Sequence, residues 1–313
     1  MSGGGKTAAA AALLVLLAGL DLLAGGGSIS VPDRMILLQL RLPRLVTALL
    51  AGAALSLSGA QLQAVFRNPL ADPHIMGISA GAGLGAAAAV VSLAAVPALF
   101  YGMTLTAAAF AGAVIVSALV MLISRKVESA PVLLISGVMI GFVLSAASSV
   151  LQYSAGEEGL RVFYSWLAGR FEGNGAVAIG VIGTSLLLGL TLSIINHKGL
   201  DVILFGDDYA ALTGTSVRRV RLLSLASACI ATGAVTAFCG PIGFVGIVGP
   251  HIARAITGTS VHKVVLPASL LTGGIIAVTA DILSRVFPVP LPAGSTMAFI
   301  GIPFILYILL RND

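Results

Sequence analysis

Apolar runs of about 20 residues recur along the chain, at 8–24, 45–65, 75–97, 103–123, 132–152, 176–195, 222–239, 264–283 and 293–310. A helix of that length crosses the roughly 30 Å hydrocarbon core of a bilayer. A further run, 243–257, is short for a span and predicts either a tenth, short helix or a re-entrant one. Lipid cannot satisfy backbone polar groups, so runs that are apolar on nearly every side read as helices. No period-2 barrel pattern competes with that reading. The expected fold is an all-α polytopic membrane protein with about ten transmembrane helices, forming one transmembrane domain over 1–313.

The polar breaks between the runs carry the local information. The longest includes GDDYAALTGTSVRRVR, Gly206 to Arg221, which opens with Asp207 and Asp208 and closes with Arg218, Arg219 and Arg221. Tyr209, Ala210, Leu212 and Val217 give it an apolar side. This predicts a short amphipathic helix with acids near its start and bases near its end, as a helix dipole favours. One structured polar element outside the bilayer is expected to meet a partner.

Other breaks are set by proline and glycine. Asn68-Pro69 and Asp72-Pro73 interrupt the chain twice after the second span. Pro241 and Pro250, with Gly240, Gly243, Gly246 and Gly249, predict a span cut into short pieces. Gly81/Gly85 and Gly137/Gly141 have the GxxxG spacing that lets helices approach closely. Residues 160–167 predict a short interfacial helix with Tyr164 and Trp166 in an aromatic belt. Pro43 suits the first turn of the second span, with Arg41 and Arg44 at its mouth. Arg41 there serves either as a headgroup anchor or as a contact for an acidic soluble partner. Asp21 reads as a carboxylate snorkelling at the interface, and Asp281 and Arg285 fall four apart on one helix face.

A faint internal echo runs through the chain. Arg44…Gly52…Gly59…Pro73-His74-Ile75 parallels Arg221…Gly233…Gly240…Pro250-His251-Ile252. One copy enters the bilayer from outside and the other from inside, the pattern of an inverted repeat. Its halves would be about 41–152 and 219–310, with a cytoplasmic segment at about 199–221.

Composition fixes the class and the orientation. Hydrophobic residues make up 58% and charged residues 9% of the chain, against about 25% charged in soluble domains. Eleven of the 17 basic residues fall on one side of the expected topology: Lys6, Arg67, Arg125, Lys126, Lys198, Arg218, Arg219, Arg221, Arg254, Lys263 and Arg311. By the positive-inside rule that side is cytoplasmic, and it holds both termini and 206–221. The net charge of +5 is then a topology signal, and nothing points to nucleic acid. Lys6 and the run after it imitate a secretory signal, but the next span begins within about 25 residues. The run therefore reads as a first transmembrane helix.

Catalytic chemistry is not written in the pattern. Gly5-Lys6-Thr7 imitates the end of a phosphate-binding loop without that motif's first glycine or a preceding strand. His74, His197, His251 and His262 show no metal-ligand spacing. Cys229 and Cys239 lie about 15 Å apart along one helix and cannot pair. No charged residue is expected at mid-bilayer, where ion-coupled transporters commonly carry one. Driving energy is thus expected from a separate ATPase. The alternative is an ion-coupled secondary transporter using carbonyl and hydroxyl sites.

Four ordered blocks carry a family likeness: RLPRLVTALLAGAALSLSGAQLQAVFRNPLADPHIMGISAGAG (41–83), GDDYAALTG (206–214), GPIGFVGIVGPHIAR (240–254) and ADILSR…LPAGSTMAFIGIPFILYILLR (280–311). The chain resembles the permeases of the ferric-siderophore, haem and cobalamin ABC importers. The resemblance implies ten helices per subunit, a second permease subunit (a homodimer in the usual case) and two ATP-binding cassette subunits that hold ATP and Mg. It also implies an external substrate-binding protein, and no cofactor on this chain. By position it assigns Gly206, Ala210, Gly214 and Arg218 to coupling with the ATPase, and Arg41 and Arg285 to docking of the binding protein. Ser129 and Ala130 fall at the cytoplasmic gate, where the family often has small hydroxyl residues and this chain has Ala130 and Pro131. The fifth and tenth spans would line the path, in a prokaryotic plasma (inner) membrane.

Overall fold

The computed structural model describes residues 3–25, 28–29, 32–92, 100–127, 129–287 and 289–312. Helix α1 (Gly3–Leu23) is followed by a two-residue antiparallel ladder, β1 (Ala24–Gly25) with β2 (Ser28–Ile29). A short helix α2 (Arg34–Ile36) runs through a π-helical turn, Leu37–Arg41, into α3 (Leu42–Phe66). Then come α4 (Ile78–Ser92), α5 (Tyr101–Ser124), α6 (Ala130–Tyr153), α7 (Glu157–Leu167), α8 (Ala176–Ile203) and α9 (Asp207–Leu212). The chain finishes with α10 (Val217–Cys239), α11 (Val245–Thr257), α12 (His262–Val286) and α13 (Ala293–Asn312). Among the described residues seven helices are long and apolar enough to cross a membrane, α4 and α11 are shorter, and α13 contributes a shorter apolar stretch, Ala293–Tyr307. The chain is an all-α polytopic membrane protein of about ten spans.

The expected breaks fall where proline and glycine force them, with two adjustments. Helix α3 ends on Arg67 in the left-handed region, and Asn68 and Asp72 side chains then accept backbone N–H bonds from Leu70 and His74. Pro73–Met76 forms a 3-10 turn, so the third span starts at Ile78 instead of 75, and 93–97 lies outside the described residues. The span around 240 is cut at 240–244, but Pro250 lies inside the continuous helix α11.

Small residues set the crossings. A methyl group on Gly52 would lie 2.3 Å from the Gly273 carbonyl oxygen, and one on Gly59 would lie 1.9 Å from that of Gly246. Helix α3 therefore touches α12 and α11 backbone to backbone. The Gly81/Gly85 pair meets α5 in the same way, with a Cβ on Gly85 only 2.1 Å from the Ala108 carbonyl. Buried polar side chains bridge further helices. Gln61 donates to Ser227 at 2.8 Å, which donates to the Gly189 carbonyl at 2.8 Å, linking α3, α10 and α8.

Helix α7 forms where an interfacial helix is expected, but Trp166 is no belt residue. Its ring is buried, and Nε1 donates to the Ala237 carbonyl at 3.2 Å, while Tyr164 alone stays exposed.

Candidate coupling and docking surfaces

One end of the bundle carries α9. Gly206 caps this helix at φ 113°, a conformation that only glycine adopts without strain. Gly214 stops the turn after it at φ 76°, where Thr215 N–H bonds back to the Ala210 carbonyl at 2.9 Å. Ser216 then caps α10 by accepting from Arg219 N–H. The helix is therefore shorter than expected. Arg218, Arg219 and Arg221 do not end α9; they begin α10, because the left-handed glycine terminates the first helix ahead of them. The favourable dipole contact survives only at the acidic end, with Asp207 and Asp208 in the first turn. Arg221 folds back to pair with Asp207, and Arg67, at the end of α3, lies 3.8 Å from the same carboxylate.

Ala210 is wholly buried and seats α9 on the bundle. On its outer side Leu212 is 87% exposed and Phe205 76%, with the Phe205 and Tyr209 rings 5.5 Å apart. Beside this apolar tip lies a cavity of about 600 Å³ lined by Arg67, Arg125, Lys126, Ser129, Asp208 and Arg218. Ser129, exposed at the cap of α6, and Arg218 thus share one space. Ala130 is buried and turns into the core.

The opposite end holds Arg41, Arg44 and Arg285. Arg44 Nε donates to both Asp281 oxygens at 2.8 and 3.0 Å, Nη1 to Glu172 at 2.5 Å and Nη2 to Ser284 at 2.9 Å. Arg285 reaches Asp281 Oδ2 at 2.8 Å, donates to the Ala24 carbonyl at 2.8 Å and pairs with Asp21. One expectation fails here. Asp21 does not snorkel; it is fully buried, because Arg285 comes to it. Arg285, which the family resemblance assigns to docking of a binding protein, is 6% exposed. Charges this far from water must pair, and these two pair with each other. Arg41 is partly exposed, donates to the Leu22 carbonyl at 2.8 Å, and lines an open cavity of about 570 Å³ with Arg44 and Glu172.

The two basic groups assigned to opposite sides from the charge pattern are thus gathered at opposite ends of α3, one around Arg44 and one around Arg67. Asp21, Glu172 and Arg44 meet in one network although they lie far apart in the chain. The only local signal was an aspartate inside an apolar run, which needs a partner.

A model of the FecCD transport family matches residues 8–311. The cobalamin import system permease protein BtuC of Halobacterium salinarum is 39% identical over 289 residues, covering 89% of this chain and 75% of that protein. The Fe(3+)-citrate import system permease protein YfmE of Bacillus subtilis is 38% identical over 88% of this chain and 81% of its own length. The hemin transport system permease protein HmuU of Yersinia pestis is 35% identical over 88% and 83% respectively. An inward-facing conformation of a metal-chelate type ABC transporter superposes with a TM-score of 0.85 at 28% identity, covering 97% of this chain and 98% of that one.

Proposed function

This chain belongs to the FecCD transport family, and we propose that it is the non-catalytic permease subunit of an ATP-driven importer of metal chelates. Ferric siderophore or haem is the cargo the reading favours, with cobalamin next, in keeping with the cargoes named for its relatives. The carrying observation is α9: a six-residue helix, bracketed by two positive-φ glycines, that presents Tyr209 and Leu212 outside the bundle beside the preceding Phe205. A polar, rigid element with an apolar tip suits a socket on a cytoplasmic ATPase.

In this reading the α9 face is cytoplasmic, as the positive-inside count favours, and the Arg44 face meets a substrate-binding protein through Arg41. Two cassette subunits hold ATP and Mg. A second permease copy packs alongside, with α6 and α13 lining the path. Exposed Phe142, Val143 and Phe299 on those helices support that role. Closure of the ATPases moves α9, the helices reopen toward one side, and the binding protein delivers its cargo into the cavity. Arg285, held by Asp21 and Asp281, would then position the docking surface from beneath instead of touching the partner.

The test is reconstitution into proteoliposomes. With cassette subunits, binding protein and internal ATP, chelate should accumulate, and a protonophore should leave uptake unchanged. Accumulation against a gradient by the chain alone, or collapse of uptake with the proton gradient, would overturn the proposal in favour of a secondary transporter.

A further inference from the structure

Helices α5 and α8 each pack on α10 but have no substantial contact with each other. The gap between them is a groove floored by α10. Its upper part, about 690 Å³, is lined by Met103, Phe110, Arg170, Val181 and Phe238. Its lower part, about 480 Å³, shares Phe110 and Val181 and continues past Met121 and Leu188 over Cys229. The flanking Met103, Val114, Val177 and Leu188 are exposed, so the groove opens sideways toward lipid.

The body of the groove is apolar but its mouth is cationic. Arg170 lines the mouth on the Arg44 face, and its Nε is buried without a hydrogen-bond partner. Among the described residues no carboxylate pairs with it, and the nearby Glu172 is taken by Arg44. A buried guanidinium N–H without an acceptor is costly. The first turn of α8, capped by Gly175 without a side-chain bond, lines the same mouth and adds positive partial charge. From Asn174 to Leu188 the groove follows α8 for roughly 20 Å, comparable with the ~15 Å of half a hydrocarbon core. A partner helix would need the whole thickness.

We propose that this groove is a binding site for one anionic phospholipid of the leaflet on the Arg44 face. Its phosphate sits on Arg170 and an acyl chain lies between α5 and α8. The site is independent of the cargo and stands even if the transport reading fails.

The experiment is native mass spectrometry of the full chain in detergent, titrated with phosphatidylglycerol or phosphatidylethanolamine of identical acyl chains. Phosphatidylglycerol should bind at least about fivefold more tightly, the effect of one basic side chain at a membrane surface. Arg170→Gln should erase that preference and Arg170→Lys should keep it, which separates charge from folding. Val181→Trp, which plugs the junction of the two cavities, should weaken binding of both lipids. Equal binding of the two lipids by the unmodified chain, or an unchanged preference in Arg170→Gln, would overturn the site, leaving only annular lipid. Displacement by glycerol phosphate alone would overturn it in favour of a free-phosphate site. A shift in oligomeric state on Val181→Trp would overturn it in favour of a second copy in the groove.

Discussion

At the Arg44 face, Asp281 is shared by two arginines, one of which also holds Asp21, and three of these four side chains are nearly or wholly out of water. At the α9 face, two arginines share the half-exposed carboxylate of Asp207, while Arg125, Lys126 and Arg218 remain exposed around an open cavity. Both clusters tie distant helices together, yet they differ in what movement costs. A buried network adds little net stability, but removal of any member strands its partner, so its geometry is held firmly. At the α9 face Arg221 is buried, but the Asp207 carboxylate that it shares with Arg67 is open to water, which screens both pairs and lets Arg67 and Asp207 rearrange at low cost. The comparison assigns a fixed platform to one end and an adjustable surface to the other.

That contrast can be broken in four ways. The largest effect should come from Asp281→Ala, which leaves Arg44 and Arg285 without their shared acceptor. We expect a loss of about 3–5 kcal/mol, read as a lower melting point and loss of a monodisperse peak in size exclusion. A normal melting curve would mean that the network anchors nothing. Next, Gly206→Val forces a branched side chain to φ 113°, a strain of about 1–3 kcal/mol. ATPase stimulation by loaded binding protein should fall in the assembled transporter while helix content by circular dichroism is kept. Full stimulation would remove α9 from the coupling path.

Leu212→Asp should change stability by no more than about 0.5 kcal/mol, because the side chain touches little of its own chain. It should nevertheless weaken association with the cassette subunits about tenfold, as loss of an interface anchor does. Unchanged co-purification would show that the apolar tip is idle. The smallest effect belongs to Arg41→Glu, a rim charge. It should slow docking of the binding protein a few-fold at low salt and little at high salt. Equal on-rates in low salt would exclude Arg41 from the contact.

Much of this was legible in the sequence because bilayers impose simple rules. Length and apolarity give the spans, and the arginine and lysine distribution sorts the two ends without any coordinates. Gly81/Gly85 makes the close crossing that its spacing implies. What stayed hidden were meetings between residues far apart in the chain. Asp21 and Arg285 are separated by 264 positions, and no local pattern reports that α1 and α12 end side by side. Trp166 misled for a related reason. Its amphipathic ring satisfies an interface or a buried carbonyl equally well, and the choice depends on where α10 runs. The extent of α9 was overread because a run of arginines suits a helix end, and only the left-handed Gly214 reveals that the helix has already closed.

Helix α3 begins two residues before Arg44 and ends at Phe66, next to Arg67, which leans on Asp207 of α9. Between those ends it is pinned at Gly52 and Gly59 against α12 and α11. A rod fastened at two interior points cannot slide or spin on its supports; it can only tilt together with them. A push delivered near Arg67 therefore has to move α11 and α12 along with α3, and the Arg44–Asp281–Arg285 cluster travels with them as one body.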